Sequence, residues 1–141
     1  VAFKHVGLLA VEMFQNEHDE ILINEVAPRP HNSGHHTIES SYTSQFEQHI
    51  RAILDLPLGR TDSKVGGVMV NLVGSEGYHG DVVYQNIASI MKMEGVKPHI
   101  YGKKQTRPFR KMGHVTIVHE DLNKARIIAE EVKNTIKVIS K

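Results

Sequence analysis

Two apolar runs of strand length, joined by a short polar segment, constrain the fold of this chain more than any other feature of its sequence. The runs are residues 7–15 (GLLAVEMFQ) and 20–27 (EILINEVA), and residues 16–19 (NEHD) lie between them. Apolar runs of this length on either side of turn-forming residues are typical of paired strands. The sequence therefore predicts a β-hairpin.

The position of the turn predicts which residues of the hairpin face each other. A turn centred near His18 and Asp19 makes the numbers of paired residues add up to about 37. The pairs that follow are Glu12 with Glu25, Met13 with Asn24, and Phe14 with Ile23. Glu12 and Glu25 then share one face of the hairpin, and Asn24 lies on the other face.

Two opposed carboxylates are a costly feature of otherwise apolar strands. At a separation of about 5 Å, Glu12 and Glu25 repel each other by about 3 kcal/mol at an effective dielectric constant of about 20. A shared cation offsets this repulsion, and Mg²⁺ suits the pair because it takes one or two carboxylates together with phosphate oxygens of a substrate. The alternative is that one acid faces solvent on an edge strand, and the spacing alone leaves both interpretations open.

The segment after the hairpin, residues 28–44 (PRPHNSGHHTIESSYTS), is rich in proline, glycine and small polar residues, which indicates an ordered loop. Its first part adds Arg29, His31 and His35 to the nearby acids. A guanidinium offers a planar fork for a carboxylate or phosphate, and histidines can carry protons or donate hydrogen bonds. An ordinary surface loop is the alternative, and zinc held by His31 and His35 is a third interpretation with weak support.

Signals for regular structure continue to the end of the chain. Ser44 and Glu47 fit a capping box and Pro57 ends a helical apolar pattern, so residues 44–56 are predicted as a helix and residues 58–64 as a linker. The further predicted elements are strands 65–73, 97–101 and 114–119, a helix over 81–93, and a last helix capped by Asp121 and reaching Ile136. The predicted fold class is α+β, with one part over residues 1–57 and a small domain over 58–141.

Positive charge is concentrated in residues 103–111 (KKQTRPFRK). This segment holds five of the 17 lysines and arginines and none of the 16 acids, so the rest of the chain is net negative although the whole chain has a charge of +1. Such a segment favours an anion site, and a solvated basic loop is the alternative. A nucleic-acid interface is poorly supported because Phe109 alone is a thin stacking platform.

Several classes of protein are excluded or disfavoured by composition. The chain has no cysteine, which excludes disulfide scaffolds, cysteine–zinc sites and thiol nucleophiles. No apolar run approaches the roughly 20 residues that a membrane helix needs, and residues 1–5 do not resemble a signal peptide. Intracellular residence is thus allowed, and we expect a cytoplasmic protein without a membrane or nucleic-acid partner. Because the chain does not begin with Met, we expect it to be a piece of a longer protein.

Four segments in sequence order resemble one enzyme family. They are GLLAVEMF, NEVAPRPHNSGH, SQFEQHIRAILDLPLG and RPFRKMGHVTI. Together they are similar to the closing part of the ATP-grasp ligases known as 5-(carboxyamino)imidazole ribonucleotide synthases. The related formate-dependent glycinamide ribonucleotide transformylases share an E-x-x-PRPH core, but the continuation Asn32-Ser33-Gly34-His35 favours the synthases.

The resemblance implies a fold and a reaction. Residues 1–57 would complete an ATP-grasp domain, and residues 58–141 would form a small β-rich domain of hybrid-motif type with a terminal helix. The enzyme would use ATP and Mg²⁺ to activate bicarbonate as carboxyphosphate and then carboxylate aminoimidazole ribonucleotide in purine biosynthesis. The 141 residues alone would be inactive. Because a truncated hairpin would expose an apolar face, we also expect self-association as a homodimer. The alternative from another class is a non-catalytic module that binds a nucleotide or phosphate.

The resemblance also implies roles for individual residues. Glu12 and Glu25 would hold Mg²⁺ on the ATP phosphates with Asn24 beside them, and Arg29 and His31 would lie near bicarbonate and carboxyphosphate. The residues implied to bind the ribonucleotide are Asn32, Ser33, Gly34 and His35 around the aminoimidazole, and Lys103 or Lys104 with Arg110 at the 5′-phosphate.

Overall fold

The computed structural model describes residues 4–141, and the chain forms two compact units, of which the first ends at Lys64 and the second begins at Val65. The first unit contains strands β1 (Ala10–Gln15) and β2 (Ile21–Ala27), a 3₁₀ turn over Asn32–Gly34, and helices α1 (Thr37–Ser40) and α2 (Gln45–Ile53). The region predicted as an ordered loop thus holds two short helical turns.

The hairpin forms as predicted, and Glu12 lies opposite Glu25. The other two predicted pairs are wrong, because Met13 pairs with Ile23 and Phe14 pairs with Leu22. The turn is one residue tighter than predicted: Asn16 N donates to Glu20 O at 3.1 Å. A bulge between Glu12 and Met13 then leaves Asn24 as an extra residue and restores the register at the acids.

Helix α2 begins where the sequence predicts and ends earlier. The Ser44 hydroxyl accepts from Glu47 N at 3.2 Å, which caps the first turn. The helix stops at Ile53, and Asp55 has a left-handed backbone with φ of 55°. The helical conformation therefore ends at the left-handed Asp55, before Pro57 is reached.

The second unit consists of two three-stranded antiparallel sheets and helices. Its elements are β3 (Gly66–Val73), β4 (Gly80–Gln85), α3 (Ile87–Ile90), β5 (Val96–Ile100), β6 (Gln105–Thr106), β7 (Lys111–His119), α4 (Leu122–Thr135) and β8 (Lys137–Ser140). The strand orders are β3-β7-β5 and β6-β4-β8. The core joins buried residues of β7 to the apolar face of α4, namely Met112, Val115, Ile117, Ala125, Ala129 and Val132.

The helix predicted over residues 81–93 is wrong in its first half. Residues 80–85 form β4, which pairs with β8, a strand that the sequence analysis did not predict. Val82, Val83 and Tyr84 are β-branched or aromatic and fit a strand once this partner is present. Asn86, with φ of 65°, separates β4 from the short helix α3.

Residues 58–64, predicted as a linker, partly pair with the first unit. Ser63 forms a β-bridge with Ser41, and Lys64 N donates to Ser40 O at 2.8 Å. The domain boundary between residues 57 and 58 stays a prediction. No helix among residues 4–141 is both long enough and apolar enough to cross a membrane.

Candidate metal and substrate site

Three side chains of the first unit converge at the bulged part of the hairpin. Glu12, Glu25 and His31 each offer a ligand atom within 4.8 Å of the others. His31 Nε2 lies 2.7 Å from Glu25 Oε1 and 3.9 Å from Glu12 Oε2. The ring of His31 is buried, so it links the exposed carboxylate of Glu25 to the interior of the loop.

The bulge brings Asn24 to the acids. Its side-chain amide donates to the Glu12 carboxylate, although strict alternation along the strand placed Asn24 on the opposite face. An extra residue breaks the two-residue period of a strand and can turn a side chain toward the other face. Asn24, which the sequence pattern separated from the acids, is therefore their direct neighbour.

The donor chemistry of this cluster fits Mg²⁺. The carboxylates of Glu12 and Glu25 and the side-chain amide of Asn24 offer oxygen atoms. Mg²⁺ prefers such hard ligands to imidazole nitrogen. His31 Nε2 hydrogen-bonds Glu25 and its Nδ1 hydrogen-bonds Ser33 Oγ at 2.8 Å, so both ring nitrogens are engaged. His31 accordingly orients the Glu25 carboxylate.

The His31–His35 pair proposed for zinc does not converge. Among the described residues, the cluster with metal-ligand spacing includes His31 and leaves out His35. His35 Nδ1 instead accepts from Gln45 Nε2 at 2.8 Å. The structure gives the zinc interpretation no support.

The loop residues named from the sequence occupy a tight turn after His31. Gly34 N donates to His31 O at 3.0 Å and His35 N donates to Asn32 O at 3.2 Å, which closes the 3₁₀ turn. Arg29 is exposed, and its Nη1 donates to Pro30 O at 3.0 Å. The turn holds Asn32, Ser33 and His35 within four residues of the acid-bound His31.

Two residues at this site were not named from the sequence. Gln45 is buried, and its side chain contacts both His31 and His35. The Thr37 hydroxyl donates to Gly34 O and accepts from Gln45 N at 3.0 Å. The only sequence signal is the position of Gln45 inside the capping box, since its contacts lie 10 and 14 residues away along the chain.

The basic segment belongs to the second unit, where it follows β5, contains β6 and ends on the first residue of β7. Lys103 Nζ donates to Lys111 O at 2.6 Å, and Arg110 Nη1 donates to Gln105 O at 2.8 Å. Lys104 is exposed. Two of the three residues predicted to contact phosphate, Lys103 and Arg110, therefore donate hydrogen bonds to backbone carbonyls of their own segment. The role of Lys103, Lys104 and Arg110 in phosphate binding stays a prediction.

A contact between Tyr101 and His114 joins the end of β5, just before the basic segment, to β7. Tyr101 Oη lies 3.0 Å from His114 Nδ1, and Lys103 Nζ lies 5.9 Å from the centre of the Tyr101 ring. Burial raises the pKa of Tyr101 above its usual 10.0, so the phenol stays protonated near neutral pH.

Comparison with known families agrees with the sequence pattern. A model described as the phosphoribosylaminoimidazole carboxylase C-terminal domain matches residues 67–127, and the ATP-grasp domain model matches residues 1–46. The chain is 50% identical over 120 residues to a chloroplastic phosphoribosylaminoimidazole carboxylase of Vigna aconitifolia. It is also 50% identical over 115 residues to N5-carboxyaminoimidazole ribonucleotide synthase of Bacillus subtilis.

The matches cover most of this chain and a minor part of its relatives. They include 83% and 82% of the chain but 22% and 29% of the Vigna and Bacillus proteins. The chain thus spans less than a third of the length of these curated relatives.

Solved structures show the same relation. N5-carboxyaminoimidazole ribonucleotide synthetase of Thermotoga maritima is 53% identical, with a TM-score of 0.94 over 96% of this chain and 38% of that one. An Aspergillus clavatus N5-carboxyaminoimidazole synthase in complex with ADP and 5-aminoimidazole ribonucleotide is 32% identical, with a TM-score of 0.79 over 91% of this chain and 34% of that one. These likenesses confirm the predicted α+β class and the family resemblance.

Proposed function

We propose that the chain is part of an ATP-dependent ligase of purine biosynthesis, because its two parts match the ATP-grasp domain model and the model of the phosphoribosylaminoimidazole carboxylase C-terminal domain. The proposed reaction activates bicarbonate with ATP as carboxyphosphate and transfers the carboxyl group to the exocyclic amine of 5-aminoimidazole ribonucleotide. ADP and phosphate are the other products. The opposed Glu12 and Glu25, with His31 beside them on the segment that matches the ATP-grasp model, carry the proposal.

In this proposal Glu12 and Glu25 hold Mg²⁺. When bound, the ion neutralises charge on the ATP phosphates during transfer of the γ-phosphoryl group. The side chains around the acids restrict their rotamers, because Asn24 donates to Glu12 and His31 contacts Glu25. Restricted carboxylates lose less entropy when they take up a cation.

The remaining site residues bind and orient the other reactants. Arg29 is exposed and close in sequence to the acids, and its guanidinium offers paired donors to bicarbonate and to carboxyphosphate. The 3₁₀ turn over Asn32–Gly34, followed by His35, lines the aminoimidazole pocket. Lys103 or Lys104, together with Arg110, binds the 5′-phosphate.

We also infer a homodimer and a cytoplasmic location. The exposed apolar residues of the hairpin support association, since large exposed apolar patches mark interaction surfaces. Cell fractionation tests the location. Recovery in chloroplasts would contradict it, and the Vigna relative is named as a chloroplastic protein.

The test is ADP release by the intact protein that carries this chain. We expect ADP release that requires bicarbonate, 5-aminoimidazole ribonucleotide and Mg²⁺ together, with formation of the carboxylated ribonucleotide. The purified 141-residue chain serves as the control and should give no turnover. A formate-dependent reaction with glycinamide ribonucleotide, or saturable nucleotide binding without turnover by the intact protein, would contradict the proposal.

A further inference from the structure

Gln45 holds the backbone of one predicted site residue and the ring of another. The residue is 8% exposed. Its Oε1 accepts from His31 N at 2.9 Å, and its Nε2 donates to His31 O at 2.7 Å. The same Nε2 lies 2.8 Å from His35 Nδ1. One buried amide therefore connects the acid-bound histidine to the histidine four residues later.

The partners of this amide fix its orientation. A backbone N–H can only donate and a backbone carbonyl can only accept, so His31 assigns the oxygen and the nitrogen of Gln45 without ambiguity. The amide nitrogen has two hydrogens and no acceptor capacity. One hydrogen goes to His31 O, and the other goes to His35 Nδ1.

The orientation of Gln45 in turn fixes the tautomer of His35. Nδ1 accepts a hydrogen bond and therefore carries a lone pair, so the neutral ring of His35 carries its proton on Nε2. The surroundings leave Gln45 little freedom. A Cβ at Gly34 would lie 2.6 Å from Gln45 Oε1, and Gln45 N donates to Thr37 Oγ1 at 3.0 Å.

We propose that Gln45 is a positioning residue that selects the Nε2-protonated tautomer of His35, so that His35 donates a hydrogen bond to an acceptor atom of the bound ribonucleotide. The part that concerns the ribonucleotide rests on the proposed function. The tautomer itself follows from the contacts of Gln45 and is independent of the reaction.

The first measurement is the tautomer of His35 in the intact protein labelled with ¹⁵N-histidine. Spectra are recorded near pH 8, above the usual histidine pKa of about 6.5, and the His35 signal is assigned with His35→Asn. We expect a lone pair on Nδ1 and a hydrogen on Nε2. A hydrogen on Nδ1 in the unmodified protein overturns the inference whatever any variant does.

The second measurement compares Gln45→Glu with a matched control. Gln48 lies on the same helix and makes the same kind of amide–backbone pair, with Nε2 donating to Gly59 O at 2.6 Å and Oε1 accepting from Gly59 N at 2.9 Å. A glutamate at either position replaces an amide donor with a carboxylate. Gln45→Glu should move hydrogen to His35 Nδ1, and Gln48→Glu should leave the His35 signal unchanged.

Kinetics separate positioning from general stabilisation. Loss of a hydrogen bond to the ribonucleotide should raise its KM about tenfold in Gln45→Glu and leave the KM for ATP within about twofold. Gln48→Glu should change neither KM. Equal tautomer spectra or equal KM values in the two variants overturn the inference. A protein that shows the expected tautomer but no reaction with the ribonucleotide contradicts the proposed function and leaves the role of Gln45 in selecting the tautomer standing.

Discussion

At the scale of single residues, the surroundings of Glu25 match an anionic role. Its side chain is 53% exposed, yet it accepts a hydrogen bond within 2.7 Å from the buried His31 ring. Across the strand lies a second acid, Glu12, whose carboxylate accepts from Asn24. These hydrogen-bond partners are compatible with a negative charge on both acids.

Glu25→Gln should nearly abolish turnover of the intact enzyme and leave its fold intact. The amide keeps the shape of the side chain but removes one charge from the proposed Mg²⁺ site. Loss of a group that only supports a metal ligand typically lowers metal affinity or activity 10- to 100-fold, so we expect loss of a ligand itself to lower turnover at least about 100-fold. The free energy of unfolding, measured by thermal denaturation, should change by less than about 1 kcal/mol, because the contact of Glu25 with His31 is partly exposed. Glu17→Gln, in the exposed hairpin turn, is the control. Unchanged turnover at saturating Mg²⁺ would exclude the metal assignment.

Arg110→Ala should weaken binding of the ribonucleotide far more than binding of ATP. A charge-assisted contact with phosphate contributes about 1.5–3 kcal/mol, which corresponds to a rise in KM of roughly 10- to 150-fold. Steady-state kinetics with each substrate varied in turn measure the effect. Arg126→Ala, on α4, removes a cation outside the basic segment and should alter neither KM. If Arg110→Ala raises both KM values equally, the segment is not a dedicated site for the ribonucleotide phosphate.

At the scale of elements, local geometry decides where strands begin and how they pair. Gly95 lies between α3 and β5, with φ of 74°. A Cβ at this position would lie 2.1 Å from Val118 O, and Val118 N donates to Gly95 O at 3.0 Å. The start of β5 therefore requires both a left-handed backbone and a residue without a side chain.

Gly95→Ala should destabilise the second unit by more than about 2 kcal/mol, because it adds a steric clash to the cost of about 1–2 kcal/mol for a left-handed residue with a side chain. Gly77→Ala is the matched control: Gly77 has φ of 83°, and a Cβ there would meet nothing within 4 Å. Urea unfolding gives the loss of unfolding free energy in each variant, and the difference between the two losses is the cost of the clash with Val118. Equal shifts would show that the contact with Val118 is relieved at no cost.

At the scale of the whole chain, the hairpin exposes a large apolar surface. The pairing places five apolar residues on the face opposite the acids, all at least 43% exposed: Val11, Met13, Ile21, Ile23 and Val26. Contiguous apolar surface of this kind promotes association.

We expect the 141-residue chain to self-associate through this hairpin face. Ile23→Lys should shift the chain toward monomer, because Ile23 is 71% exposed and a charge there resists burial. Sedimentation velocity over a range of concentrations measures the effect. Ile127→Lys is the control, since Ile127 is 69% exposed on α4. An equal increase of the monomer fraction in both variants would argue against the hairpin as the contact surface.

Local patterns were sufficient for much of the first unit. The apolar runs predicted the hairpin, and Ser44 and Glu47 predicted the start of α2, because both depend on residues close together in the chain. The opposition of Glu12 and Glu25 was also correct, although for the wrong reason: a tighter turn and the bulge at Asn24 cancel in the register. The roles assigned to the individual site residues stay predictions.

The sequence by itself determined the α+β class, the hairpin and the position of the basic segment, since short-range periodicity and composition specify these features. Only the tertiary structure decided that residues 80–85 are a strand, because their partner β8 lies more than 50 residues later in the chain. It likewise decided that Asn24 contacts Glu12 and that Gln45 joins His31 to His35. A strand partner, a bulge and a buried amide each gain their stabilisation from groups that folding brings together, and such contacts leave little trace in a local pattern.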